Sequence, residues 1–222
     1  MERHFDAELN QLKDKLLKMA GMVEEAISLS IKALIDRDEA LANKVIKNDE
    51  AINMIEIEID EMALRLLALH QPTAVDLRFL IMALRINNDL ERMGDLAVNI
   101  GERTLDLLKQ PLLKPLIDIP RMAMMAQKMV KDSLDSFVNR DAELARSVCR
   151  RDDEVDDLNN QIFRELLTYM MQDLQNIQRA VELILVAKYL ERIADHATNI
   201  GEDVVYLVKG ATIKHHIEEK IK

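Results

Sequence analysis

The chain has 222 residues, enough for one large domain or two small ones. Apolar residues make up 49% and charged residues 32%, while 5 Gly, 4 Pro and no Trp leave too little turn material for a loop-rich or all-β fold. The formal net charge is −10 and no Lys/Arg-rich run occurs, which argues against direct nucleic-acid binding, since that needs a basic face.

Helical periodicity covers almost the whole chain. It predicts a first helix from Phe5 to Leu34. Asp36-Arg37-Asp38 breaks it and recaps a second, which runs to His70, because Asp is a good N-cap. Pro72 suits the first turn of a third helix, and Asp76 complements its dipole; this helix continues to Lys109. Gln110 to Pro120 holds three prolines and marks a boundary. A fourth helix follows from Arg121 to Val138, broken at Asn139-Arg140-Asp141. A fifth ends at Met171, a turn spans Gln172 to Asn176, and a sixth ends at Lys209 with Gly210 as its stop. The last dozen residues are polar and are expected to fray.

The two halves repeat one another. The breaks at Asp36-Arg37-Asp38 and Asn139-Arg140-Asp141 sit 103 residues apart, and at that offset Leu41, Ala42, Val45 and Asp49 match Leu144, Ala145, Val148 and Asp152. Further on the offset is 100, and residues 90–102 match residues 190–202 at 9 of 13 positions. This is the signature of an internal duplication. Short turns force antiparallel neighbours. The expected fold is therefore all-α, with two tandem antiparallel three-helix bundles over residues 1–110 and 111–222.

The third helix carries two stripes. One is a continuous core stripe through Phe79, Ala83, Ile86, Leu90, Met93 and Ala97, then on to Ile100, Thr104 and Leu107. Beside it run Leu77, Ile81, Leu84, Asn88, Glu91, Asp95, Val98 and Glu102, apolar at first and acidic later. The sixth helix repeats the design with Val181, Ile184, Lys188, Glu191, Asp195, Thr198 and Glu202. One buried stripe suffices in an isolated bundle. The second apolar stripe is expected to pack against the other bundle, or else against a second subunit.

Glu91 and Asp95, like Glu191 and Asp195, are neighbours on one helix face, with Asn99, Glu102, Asn199 and Glu202 extending the two rows. Carboxylate and amide oxygens are hard ligands suited to magnesium, manganese or calcium, and also to iron. The competing explanation is a solvated salt-bridge face, with Arg92 reaching Asp95 and Arg192 reaching Asp195 at i, i+3. None of His4, His70, His196, His215 and His216 has Glu three residues before it, so a ferritin-like di-iron bundle is disfavoured. His196 points away from Asp195 around the helix and is expected to be an ordinary surface residue. The methionines at 122, 124, 125, 129, 170 and 171 look like core filler. No phosphate loop, nucleophile elbow or Ser/His/Asp pattern is visible, so no enzyme is expected.

Cys149 is the lone cysteine, which fits a reducing compartment and forbids an internal disulfide. Residues Met1 to Asp14 lack an apolar signal core. The longest apolar run, Phe79 to Leu84, has six residues where a membrane span needs roughly 20. A cytoplasmic protein with no membrane insertion is expected, and the spare apolar area points to a homodimer.

Gln71-Pro72-Thr73-Ala74-Val75-Asp76-Leu77-Arg78 resembles the QPxAxDLR signature of the PhoU family of bacterial phosphate-uptake regulators. Leu90-Glu91-Arg92-Met93-Gly94-Asp95 and Leu190-Glu191-Arg192-Ile193-Ala194-Asp195 are similar to its paired LERxxD helices. The resemblance spans essentially the whole chain. It implies a non-enzymatic regulator that represses the phosphate-starvation response. The implied partners are the ATPase subunit of the phosphate ABC transporter and a membrane sensor histidine kinase. It also implies metal (iron, zinc, manganese or magnesium) at Glu91, Asp95, Glu191 and Asp195. The second half departs from the signature, with Gln178 in place of Arg78 and no Pro. The alternative is a structural helical scaffold without a metal site.

Overall fold

The structure, a computed structural model, describes residues 2–210. His215, His216 and the expectation of a fraying C-terminus lie outside the described residues. Six helices follow in order: α1 (Glu2–Asp36), α2 (Glu39–His70), α3 (Ala74–Leu108), α4 (Asp118–Asn139), α5 (Ala142–Gln172) and α6 (Ile177–Lys209), with a 3-10 turn at Leu174–Asn176 before the last. Among the described residues there is no strand.

Local chemistry sets the helix ends. Arg37 takes a left-handed φ of 54° and stops α1, and the Asp38 carboxylate then accepts the Leu41 N–H at 3.0 Å to cap α2. The second half repeats the device: Arg140 has φ 52°, and Asp141 accepts the N–H groups of Glu143 and Leu144, each at 3.0 Å. Gly210, at φ 70°, ends α6 as expected. Two expected boundaries move. Pro72 lies just before α3 rather than in its first turn. Pro120 lies inside the first turn of α4, where a missing N–H costs nothing because that donor has no helical partner.

Helices α1, α2 and α3 pack as one bundle and α4, α5 and α6 as the other. The anticipated core stripe is buried from Ala83 to Leu107, with Leu90, Met93 and Ile100 fully so. The bundles meet chiefly through α3 against α6, and also where α1 touches α4. The α3–α6 contact is antiparallel: Arg85 pairs with Asp203 at 3.1 Å, Asp89 with His196 at 2.8 Å, and Arg103 with Glu182 at 3.2 Å. Arg37 also donates to the carbonyls of Leu107, Leu108 and Gln110, the last at 2.7 Å, tying the α1–α2 turn to the exit of the first bundle.

Three expectations are corrected. The face of α3 that meets α6 carries Arg85, Asp89 and Arg103, so the Leu77–Ile81–Leu84 stripe does not pack on the other bundle. Within the chain Leu77 is 40%, Ile81 37% and Val181 41% exposed, while Leu84 and Ile184 are half-buried. A helix in this position has four sides, and charged pairing took the one that an apolar stripe had suggested. His196 is not a surface residue but an interbundle bridge. Met122 and Met129 are core, yet Met124 and Met171 are 64% and 88% exposed, because they fall on the outer side of their helices.

Glycine contacts at the α5–α6 crossing can be tested. A Cβ on Gly201 would sit 3.0 Å from the Ala145 carbonyl oxygen and 3.2 Å from Cys149 Sγ, whereas one on Gly21 meets nothing within 4 Å. Gly201→Ala is expected to destabilise by about 1–3 kcal/mol. Gly21→Ala is expected to stabilise by about 0.5–1 kcal/mol, since mid-helix glycine costs backbone entropy. Denaturant unfolding of the two variants checks the opposite signs.

Candidate metal centres

The first acidic row lies on the side of α3 left open between α2 and α6. Glu91 and Asp95 stand one turn apart there, and α2 supplies Asp49 and Glu56 from the side. Burial, then the charges of Asp95, Glu56 and Asp49, raise the Glu91 pKa, with Arg92 opposing them. Burial and Asp95 raise that of Asp49 against a hydrogen bond from Asn53. Burial and Asp60 raise that of Glu56. One Asp49 oxygen accepts Asn53 Nδ2 at 2.8 Å, and the other, Oδ1, is buried without a hydrogen-bond partner. Arg92 lies 3.4 Å from Glu91 and 3.6 Å from Asp95, but its guanidinium side is half exposed to water, so this pairing is weak.

The second row repeats this on α6, with α5 as the flanking helix. Glu191 and Asp195 are joined by Asp152 and Asp156. Burial and then Asp195 and Asp156 push the Asp152 pKa up to about 6, against a contribution from the Thr198 hydroxyl. Burial and Glu191 raise those of Asp156 and Asp195. The ion pair in this row comes from Lys188 to Glu191, and no Arg192–Asp195 pair forms among the described residues.

The remaining residues expected at these sites divide. Asn99 is half-buried beside its row. Asn199 turns toward the other bundle, donating to Asp89 at 3.5 Å. Glu102 pairs with Arg103 at 3.6 Å, at the far end of the row. Glu202 lies against α5, where its charge raises the Cys149 thiol, which burial chiefly pushes up to about 11. The flanking acids on α2 and α5 were missed from sequence, although the repeat carried the signal: Asp49 and Asp152 match at the 103-residue offset, and Asp152 and Asp156 are one turn apart.

The donors suit a hard cation in type, and Asp49 Oδ1 receives no hydrogen bond from the protein. The shell is open, however. Among the described residues no three His, Cys, Asp or Glu side chains are gathered closely enough to hold one ion. Cation binding would need side-chain rotation and water to complete the coordination.

The raised Asp152 pKa carries a pH signature. Its folded value of about 6 exceeds the ordinary aspartate value of 3.8, so the fold favours the protonated acid. That contribution to stability is full below about pH 4 and is lost as pH rises through about 6. Asp152→Asn should therefore raise the melting temperature relative to the parent at pH 7.5 and lose that advantage at pH 4. Thermal unfolding at the two pH values measures it.

The sequence profile described as the PhoU domain matches residues 16–104 and again residues 119–204. A phosphate-specific transport system accessory protein PhoU homolog of Aquifex aeolicus is 45% identical over 214 residues, covering 96% of this chain and 97% of its own. The homolog so named in Pseudomonas aeruginosa is 40% identical over 216 residues, covering 97% and 89%. The crystal structure of PhoU from Pseudomonas aeruginosa superposes with a TM-score of 0.91 at 41% identity, covering 93% of this chain and 100% of that one. That of the phosphate transport system regulatory protein PhoU from Streptococcus pneumoniae gives 0.88 at 32% identity, covering 95% and 99%. These names describe accessory and regulatory proteins rather than enzymes. Two profile matches, one per bundle, and near-complete coverage at these identities make this chain a member of the PhoU family.

Proposed function

We propose that the chain is a non-enzymatic regulator of phosphate uptake and of the phosphate-starvation response. It acts as a cation-loaded helical adaptor in the cytoplasm, between the ATPase subunit of a phosphate ABC transporter and a membrane sensor histidine kinase. The names of its relatives support the phosphate role. The observation that carries the cation role is the repeated acidic row, opposed in each bundle by further acids from the neighbouring helix. No described helix is long and apolar enough to cross a membrane, which suits an adaptor that reaches membrane proteins from the side. Glu91, Asp95, Asp49 and Glu56 would hold iron, zinc, manganese or magnesium in the first bundle, with Asn99 in reach. Glu191, Asp195, Asp152 and Asp156 would do so in the second. The cation would supply the positive charge that these carboxylates lack.

A second reading is a scaffold whose acids are only a charged face. The Arg92 and Lys188 ion pairs favour it. The two separate cleanly. Thermal unfolding with Mn²⁺, Mg²⁺, Fe²⁺ or Zn²⁺ should show a rise in melting temperature by mass action, for a cation at 100 times its Kd about 2.7 kcal/mol. The rise should fall in Glu91→Ala/Asp95→Ala and in Glu191→Ala/Asp195→Ala, and vanish when all four are changed. Metal-free protein by elemental analysis, with no rise for any cation, leaves the scaffold.

Self-association is part of the same proposal. Met54, Ile57 and Leu64 form an exposed stripe on α2, at 56%, 49% and 59% exposure, whereas at the matching positions of α5 Asp157 and Asn160 are polar and only Leu167 is apolar. A single apolar stripe of this kind suits an isologous homodimer. Light scattering should give a dimer of the 25.5 kDa chain. Ile57→Lys should reduce it to the monomer; a parent that is monomeric at micromolar concentration would remove the dimer from the proposal.

A further inference from the structure

The duplication allows each surface position to be compared with its own copy. On the sides of α3 and α6 that meet each other, the copies have diverged: Arg85 against Leu185, Asp89 against Tyr189, Leu96 against His196, Arg103 against Asp203. The pairing requires it. Arg85 needs Asp203 and Arg103 needs Glu182, while two identical faces would set Arg85 against Arg103. At the open start of each helix the apolar positions have stayed alike: Leu77 and Ile177, Ile81 and Val181, Leu84 and Ile184, with the copies differing further on at Asn88 and Lys188. Leu77 and Ile177 are 40% and 41% exposed, and Ile81 and Val181 are 37% and 41% exposed.

Single exposed apolar residues need no explanation, but the same patch built twice does. Because α3 and α6 run antiparallel, the copies are related by a pseudo-two-fold axis through their contact. That axis crosses the helices and leaves both patches on the same open side. Arg85 pairs with Asp203, so Ile81 stands level with Tyr206, which is 25 residues from Val181. The patches are thus roughly 40 Å apart along the helices. The first opens into a cavity of about 550 Å³ lined by Ile81, Leu84, Arg85, Asn88, Asp89 and Asn199, together with Asp203. Between the patches lie the carboxylates of Glu91, Asp95, Glu191 and Asp195.

We propose that this side docks a two-fold symmetric homodimer, each of whose subunits places one apolar knob with a basic rim on one of the two patches. One chain then binds two partner subunits. Each row gathers four carboxylates, so it stays negative with one divalent cation bound and selects a basic surface. The rows also reject a second copy of this chain, which would set carboxylates against carboxylates. The inference rests on the adaptor reading and specifies the partner's symmetry and surface.

The probe is the purified ATPase subunit of a phosphate ABC transporter, titrated against the full chain. Native mass spectrometry gives the stoichiometry and fluorescence titration the affinity. The chain variants are Ile81→Lys, Val181→Lys and both together, with Met124→Lys on another side as control and circular dichroism to verify folding. The expected result is two subunits per chain. Each single variant should weaken binding about tenfold or more, the pair should abolish it, and the control should leave it unchanged. A one-to-one complex, or binding sensitive to only one patch, overturns the two-fold inference while leaving the adaptor role standing. Patch variants that abolish self-association instead would assign the patches to a second copy, and overturn it too. No binding by the parent chain removes the adaptor reading, and this inference with it.

Discussion

The contact between α3 and α6 governs the rest of the molecule. Two carboxylates there are nearly inaccessible, Asp89 at 8% and Asp203 at 2% exposure, and each depends on a cationic or hydrogen-bonding partner from the opposite bundle. A buried charge without its partner is far more costly than an exposed one. The partners are not interchangeable: Arg85 reaches Asp203, and His196 reaches Asp89. Two bundles descended from one unit can therefore meet in a single register. That register leaves the same side of both α3 and α6 uncovered, while α1 and α4 close the opposite side. The acidic rows and the apolar patches of α3 and α6 lie on that uncovered side because of this one contact.

The acidic rows follow from it but obey a different logic. Carboxylates set beside one another on adjacent helices weaken the fold in the absence of a compensating charge, as the raised Glu91, Asp49 and Asp152 pKa values record. Such an arrangement is more readily understood as a place kept for positive charge than as a stabilising feature. The two rows are not equal. Asn53 stands in the first bundle where the second has Asp156, and the second row is the one whose acid is pushed up to about 6. The first row answers with an orphaned oxygen on Asp49 and a loosely held Arg92. Duplicated scaffolds can diverge in this way without disturbing the core, since these residues sit at its margin.

The mixture of repeated and diverged positions also explains why the helix α3 reads ambiguously. It is surrounded on three sides, by α1, α2 and α6, and its contact with α6 carries charged pairs. An interface built from charged pairs has no hydrophobic period, so its residues resemble solvent-facing ones. A half-exposed apolar stripe, conversely, resembles an interface. His196 and the Leu77–Ile81 stripe exchanged their expected places for this reason.

What the sequence by itself determined is the part that depends on neighbours along the chain. Six helices, their caps at Asp38 and Asp141, the stop at Gly210, the core stripe of α3 and the duplication all rest on local periodicity, on turn chemistry or on matching one half to the other. The pairs Glu91/Asp95 and Glu191/Asp195 were legible for the same reason, since one turn of helix brings them together. Only the tertiary structure decided which helix faces meet, and with that the rest of each acidic row. Asp49 and Glu56, and Asp152 and Asp156, join the rows from helices some 40 residues away in sequence, across an interhelical gap that no local pattern encodes. Their place depends on the rotation of α2 about α3 and of α5 about α6. That rotation goes with the close helix approach at Gly94 and Gly201, where a Cβ would meet the Ile52 side chain at 3.4 Å in the first case and the Ala145 carbonyl oxygen at 3.0 Å in the second.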